Sequence, residues 1–280
     1  MNIVEFLKLI VFSLVEGFTE WLPISSTGHL ILLQDIIPLH GSKEFFSTFE
    51  VLIQLAAVMA VVQQFALRLW PFGKRKRGGG FYLKEEKAIL IGKILLACLP
   101  AAVFGLALDD ILDKYLYNGF VVSLMLILYG FLFIFVEKRN ENKNFRITKV
   151  EDLSWTLAFQ IGLFQCLALI PGTSRSGATI IGAMLLSVGR VAATEFSFFL
   201  SVPVMAGASL LKLIKHGGNF SGSEWFTLIL AMILTYFVSV YCIRFLLRYI
   251  RNHDFKVFAY YRIIFGGIVL LWFVVSRFLL

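Results

Sequence analysis

The strings Pro23-Ile24-Ser25-Ser26-Thr27-Gly28-His29 and Pro171-Gly172-Thr173-Ser174-Arg175-Ser176-Gly177 decide how this chain folds. Each is short, polar and set between two apolar stretches. Hydrocarbon offers no partner to a free backbone or side-chain polar group, so such strings persist at membrane depth only when buried in protein or lining a cavity. Two of them at matching places in the two halves of a chain point to one composite site near the bilayer midplane.

The surroundings make the membrane assignment. Of 280 residues, 59% are hydrophobic and 16% are charged, against about 25% charged in a soluble domain. The 29 phenylalanines suit lipid-facing helices. Residues 1–10 lack the basic start of a cleavable signal, so the first apolar stretch is expected to remain in the protein. Cys98, Cys166 and Cys242 all lie in apolar runs, with no CxxC pair or Cys/His cluster, and read as small hydrophobes. The net charge of +8 fits cytoplasmic loops and anionic lipid better than nucleic acid.

Runs near 45–66, 88–108, 116–136, 194–214, 225–247 and 257–278 each have about the 20 residues a spanning helix needs. The regions 3–38 and 153–189 are also apolar, but the polar strings break them near the middle. Each reads as a re-entrant hairpin, entering and leaving on one side. Loop charge orients the chain. The 67–87 loop carries seven Lys/Arg, the 137–152 loop five, and the 244–256 loop Arg244, Arg248, Arg251 and Lys256. Asp109, Asp110 and Asp113 face only Lys114, and 213–224 holds only Lys215. The three basic loops belong in the cytoplasm. The stretch 71–80 reads as a flexible basic loop without a catalytic role.

The expected fold is therefore all-α integral membrane, an inverted-topology repeat of six transmembrane helices plus two re-entrant helical hairpins. One membrane domain, 1–280, divides into a first repeat over about 1–136 (hairpin 3–38), a cytoplasmic loop 137–152, and a second repeat over about 153–280 (hairpin 153–189). Both termini lie outside.

Glu16 and Glu20 are four apart on the first helix and share a face. A charge at membrane depth costs roughly 2.5–3.5 kcal/mol even on the lenient insertion scale. Glu16, Glu20, His29 and Arg175 all fall in broken segments, so neutralisation of Arg175 by the glutamates and a part in catalysis are both open. Ser25, Ser26, Thr27 and Gly28 open a helix. Such residues cap helices, and the free N–H groups there also bind phosphate. Thr173, Ser174 and Ser176 surround Arg175 at a second helix start, and its planar fork suits phosphate oxygens. His29 reaches the helix face of Ser25 and Ser26.

The run Glu16-Gly17-Phe18-Thr19-Glu20-Trp21-Leu22-Pro23-Ile24-Ser25-Ser26-Thr27-Gly28-His29-Leu30 resembles the signature of the bacterial undecaprenyl-diphosphatases of the bacitracin-resistance family, and Pro171 to Gly177 resembles their second signature. The resemblance covers essentially the whole chain. It implies a phosphatase of the bacterial cytoplasmic membrane, open to the outer face, that converts undecaprenyl diphosphate to undecaprenyl phosphate. That product is the lipid carrier recycled for peptidoglycan and other wall polymers. It also implies dependence on a divalent cation and a contribution to bacitracin resistance.

On that reading Ser26 is the expected nucleophile, with His29 as its base, as the acid for the leaving oxygen, or as the nucleophile in its place. Arg175 and the helix starts, with Ser25, Thr27, Gly28, Thr173, Ser174 and Ser176, would hold the phosphate. Glu16 and Glu20 would hold Mg²⁺ or Ca²⁺, which take oxygen ligands, or would orient His29 or activate water. The partners expected are the polyprenyl diphosphate and membrane lipids. Ala178 and Gly182 would permit close helix packing, within the chain or in a homodimer. A transporter or flippase of a polyprenyl phosphate is the alternative, since inverted repeats with broken helices also build carriers. The SR-x5-H-x3-D pattern of the phosphatidic-acid phosphatases is absent: Ile181 stands where its histidine would be.

Overall fold

The computed structural model describes residues 3–74, 80–216 and 220–279. The chain is almost wholly helical. In the first half, α1 (Ile3–Thr19) and α2 (Ser26–Ile36) precede α3 (Lys43–Leu69), α4 (Glu85–Tyr115) and α5 (Gly119–Asn140). In the second, α6 (Trp155–Gln165) and α7 (Arg175–Leu185) precede α8 (Arg190–His216), α9 (Gly222–Tyr249) and α10 (Lys256–Leu279). A 3-10 turn, Cys166–Leu169, ends α6. Among the described residues, helices α3, α4, α5, α8, α9 and α10 are the six long and apolar enough to cross a membrane; five contain the run expected from hydropathy, and α5 begins at Gly119, three residues into the expected 116–136 run.

The two broken regions are broken where the polar strings lie. Each of α2, α6 and α7 has 11 residues, a rise of about 17 Å, which is well short of about 30 Å of hydrocarbon. Pro23 and Pro171 sit in the breaks, where a missing N–H and a fixed φ oppose continuation of the helix. Polar side chains start the next elements: Asn118 and Ser154 accept from Val121 N and Leu157 N at 3.0 and 3.2 Å. Ser221 and Glu224 form a reciprocal capping box at α9.

Helix ends extend beyond the expected loops. Asp109, Asp110 and Asp113 fall in the last turns of α4, Arg68 in α3, and Arg244 and Arg248 in α9. Hydropathy marks where a segment leaves hydrocarbon, and a helix continues past that point while its backbone bonds remain intrahelical. The expected 71–80 loop is in part a β-ribbon. β1 (Phe72–Lys74) pairs antiparallel with β2 (Phe81–Leu83), with Gly73 opposite Tyr82, and residues 75–79 lie outside the described residues.

Packing repeats between the halves. α1 packs on α9 as α6 packs on α4, α5 lies along α10, and α3 along α8. Exchanging the halves maps this set of pairings onto itself. Both hairpins dock through glycine. A Cβ on Gly17 would sit 2.7 Å from the Val238 side chain, and one on Gly162 would overlap the Ala97 carbonyl. The core is apolar and continuous around Trp21, Phe133, Phe196 and Phe198, all fully buried.

Ion pairs fasten the end that carries the basic segments. Arg68 binds Glu151 at 2.6 Å and Glu195 at 2.8 Å, its guanidinium over the rings of Phe65 and Phe199. Partial burial alone would raise the Glu151 carboxyl, but the bonds from Arg68 outweigh it and hold the group below its ordinary value. Arg190 pairs with Glu137, which also accepts from Phe255 N at 2.9 Å.

Candidate active site

The strings before α2 and α7 form two matching tips. Ser25 and Ser174 are their N-caps, each with φ of 73°. Each side-chain oxygen accepts from the glycine three residues on, Gly28 N at 3.4 Å and Gly177 N at 3.1 Å. Ser176 Oγ lies 3.1 Å from Ser174 Oγ. Both tips rest on α5: a Cβ on Gly28 would sit 3.0 Å from the Val122 side chain, and one on Gly172 2.6 Å from the Val122 carbonyl. Gly172 also has φ of +89°, so both space and conformation require glycine there.

Glu20, just beyond α1, joins the tips. Its N–H bonds Glu16 O at 3.0 Å, which continues the helical turn. Ser26 Oγ donates to Glu20 Oε2 at 2.5 Å, and Arg175 Nη2 donates to Glu20 Oε1 at 2.5 Å. One carboxylate therefore binds the hydroxyl at one helix start and the guanidinium at the other. The Glu20 and Arg175 side chains are 6% and 10% exposed, so their attraction is screened far less than at a surface, against the cost of taking both charges out of water. Arg175 Nη1 donates to Ser197 O at 2.7 Å, and Thr179 Oγ1 to Ser197 Oγ at 2.7 Å. Helix α8 thus sets the aim of the guanidinium.

His29 is held away from Ser26. Its Nδ1 lies 2.7 Å from the Ser25 carbonyl and must donate, so in the neutral ring Nε2 accepts from Tyr261 OH, also at 2.7 Å. The ring stacks on Phe265 at 4.4 Å between centroids. The hydrogen-bond partner of the Ser26 hydroxyl is Glu20, not the histidine expected as its base.

Glu16 is fully buried and neither of its oxygens has a partner. It lies within electrostatic range of Glu20, Glu50 and Arg175. Glu50, from α3, receives Tyr117 OH at 3.3 Å on one oxygen, and its other oxygen is unpartnered. No cluster of three or more His, Cys, Asp or Glu suited to a metal occurs among the described residues. Both Glu20 oxygens are already engaged, whereas the Glu16 pair is free.

The structure places the sequence-derived site residues in three groups. Glu20, Ser26 and Arg175 are in direct contact; Ser25, Gly28, Thr173, Ser174 and Ser176 form the tips; Thr27 is half-buried in the first turn of α2. His29 flanks this assembly. The three cysteines are free thiols. Ala178 and Gly182 pack within the chain, a Cβ on Gly182 overlapping the Phe164 ring. Sequence reasoning missed Glu50, Ser197, Tyr261 and Arg262. Two of these had a signal: Glu50 and Arg262 are charges inside apolar runs, which marks a residue facing the bundle interior.

Residues 9–268 match the family described as "Bacitracin resistance protein BacA". The chain is 48% identical over 271 residues to a protein of Enterococcus faecalis named "Undecaprenyl-diphosphatase", covering 97% of this chain and 98% of the relative. Relatives of the same name in Lachnoclostridium phytofermentans and Acetivibrio thermocellus are 48% and 49% identical, over 99% and 98% of this chain and 100% and 99% of their own lengths. The family match spans both polar strings and five of the six long helices and ends within α10, and the chain belongs to the bacitracin resistance protein BacA family.

Proposed function

We propose that this protein is the membrane hydrolase its relatives are named for, cleaving undecaprenyl diphosphate to undecaprenyl phosphate and inorganic phosphate. The observation that carries the reading is the Ser26–Glu20–Arg175 contact between two helix N-termini. A carrier needs a cation and helix dipoles for its anion. It has no need of a hydroxyl bonded to a carboxylate beside them.

Phosphoryl transfer demands positioning and charge stabilisation. Arg175 and the free N–H groups of α2 and α7 hold the terminal phosphate. Ser26 Oγ attacks its phosphorus, its proton passes to Glu20, and the bond to the bridging oxygen breaks, releasing undecaprenyl phosphate. Glu20 passes that proton to the departing undecaprenyl phosphate and is again a carboxylate. Water then attacks the phosphoserine, its proton goes to Glu20, and the P–Oγ bond breaks. Glu20 returns the proton to Ser26 Oγ as inorganic phosphate leaves. Arg175 moves from Glu20 to the phosphate as substrate enters, and this frees the carboxylate to accept the proton. His29 fixes the Ser25 turn through Nδ1; to act as the acid for the leaving oxygen it would first have to take a proton at Nε2, the atom that accepts from Tyr261 OH.

The cation is Mg²⁺ or Ca²⁺, and Glu16 fits it best. Both Glu16 oxygens are buried without a hydrogen-bond partner, and the cation in range, Arg175, is bound to Glu20; Mg²⁺ often takes one or two carboxylates plus substrate phosphates. Glu20 would join it only on releasing Ser26 or Arg175. When bound, the cation would neutralise charge on the diphosphate.

The two hairpins re-enter from opposite faces, in inverted repeats over about 1–136 and 153–280, and the site opens to the outer face of the bacterial cytoplasmic membrane. The short lengths of α2, α6 and α7 and the clustered basic segments support this arrangement. The prenyl tail stays among the membrane lipids. A homodimer would use a face other than Ala178 and Gly182, which are buried within the chain.

The test is phosphate release from undecaprenyl diphosphate by the purified protein in detergent, with and without a chelator. Release that the chelator suppresses and Ser26→Ala abolishes is expected. No release under either condition would move the assignment to a carrier.

A further inference from the structure

Helix α10 carries a charge that the catalytic scheme does not use. Arg262 is fully buried, and no carboxylate lies within ion-pair distance of it among the described residues. All its hydrogen bonds go to neutral carbonyls. Nη1 donates to Pro23 O at 3.0 Å, and Nη2 to Gly172 O at 2.8 Å and Thr173 O at 3.0 Å. Nε reaches Leu126 O on α5 at 3.3 Å. The guanidinium lies over the Tyr129 ring, 5.5 Å from its centroid.

Those acceptors define what Arg262 does. Pro23 precedes the cap of the first tip, and Gly172 and Thr173 precede the cap of the second. One planar fork therefore spans two segments separated by most of the sequence, and binds both to the α5–α10 pair. The tips make few other polar contacts with one another. Ser26 comes from one and Arg175 from the other, and they meet only through Glu20. A rigid five-donor group can fix that register, whereas the single ammonium of a lysine cannot reach all of these carbonyls in fixed geometry.

We infer that Arg262 is the positioning residue that locks the two polar tips in register, and that the Ser26–Glu20–Arg175 alignment depends on it without its touching substrate. The kinetic arm of the test rests on the hydrolase reading above; the exchange arm needs no turnover.

The experiment compares full-length wild type, Arg262→Lys and, as a control for general destabilisation, Glu137→Gln at the Arg190 pair, whose hydrogen bonds reach neither tip. Amide hydrogen exchange is followed in peptides covering 20–29 and 171–178. Steady-state phosphate release is measured per folded protein. Arg262→Lys should speed exchange in both peptides together and lower kcat about 10- to 100-fold, as expected for a small misplacement of reacting groups. KM should stay within about threefold, because the phosphate-binding groups remain. Glu137→Gln should lower the melting temperature without tip-specific exchange or loss of kcat. Exchange that rises in one tip or neither, or a kcat per folded protein that stays at the wild-type value, overturns the inference. Should Arg262→Lys fail to fold, Tyr129→Leu removes the ring that seats the guanidinium and is judged by the same coupled exchange. A wild type that releases no phosphate would sink the hydrolase reading, and the exchange result would still decide the role of Arg262.

Discussion

Ser25 and Ser174 occupy equivalent places in the two halves and share one left-handed backbone conformation, φ 73° in each. Each accepts from the glycine three residues ahead. A serine at positive φ is under strain of order 1–3 kcal/mol, and the fold carries that strain twice in the same turn. The gain is that both caps turn the chain sharply enough to direct two helix N-termini at one centre.

Strain and capping separate by substitution. Glycine relieves the φ penalty and costs a few tenths of a kcal/mol as a cap. Ser25→Gly and Ser174→Gly should therefore unfold within about 1 kcal/mol of wild type. Valine loses the cap and resists positive φ, so Ser174→Val should lose about 2–3 kcal/mol. Thermal unfolding in detergent measures both; equal stability of the valine and glycine variants would contradict the strained turn.

The contact of Ser26 with Glu20, rather than His29, makes a kinetic forecast. Glu20→Gln keeps the shape of the side chain but removes the proton acceptor and the charge facing Arg175. Phosphate release should fall by about 10²–10⁴, the range of a lost general base. Near wild-type kcat in the Glu20→Gln variant would return the base role to the histidine.

Gly162 and Gly17 dock the two hairpins in equivalent ways but meet different neighbours. A Cβ on Gly162 would overlap the backbone carbonyl of Ala97, which cannot move without shifting α4. One on Gly17 chiefly meets the Val238 side chain, which can turn. Gly162→Ala should destabilise by about 1–3 kcal/mol and Gly17→Ala by less, as read from melting temperatures of the purified variants.

The spans and the breaks were legible because hydrocarbon imposes a length and a polarity rule that apolar runs either satisfy or violate. Glu20, Ser26 and Arg175 were legible because they lie inside the broken segments. Their pairing was not. Which base Ser26 meets depends on how the tip turns at Ser25, and a positive φ at a serine leaves no mark in sequence. Arg262 and Glu50 sit in spans otherwise regular enough to be read as lipid-crossing helices, and the meaning of their charges appears only when the tips pack against Arg262 and α3 brings Glu50 into range of Glu16. The β-ribbon at Gly73 and Tyr82 escaped notice because three-residue strands beside a basic run have no periodicity to detect.

Glu16 offers the sharpest test of the cation. Its carboxylate is buried, without a hydrogen-bond partner, and within electrostatic range of Glu20 and Glu50. Held as an anion, such a group is destabilising, with only the Glu20-paired Arg175 to offset it, until a cation meets it. In the presence of a chelator, Glu16→Gln should therefore be more stable than wild type, by about 1–3 kcal/mol. Adding Mg²⁺ or Ca²⁺ at a hundred times its dissociation constant should stabilise wild type by about 2.7 kcal/mol, because a ligand that binds only the folded state adds to its stability. The variant should gain little of this. Its phosphate release should fall, and the cation concentration for half-maximal activity should rise. Melting curves with and without the cation read the stability terms independently of turnover. A variant that gains as much from the cation as wild type does would place the ion away from Glu16.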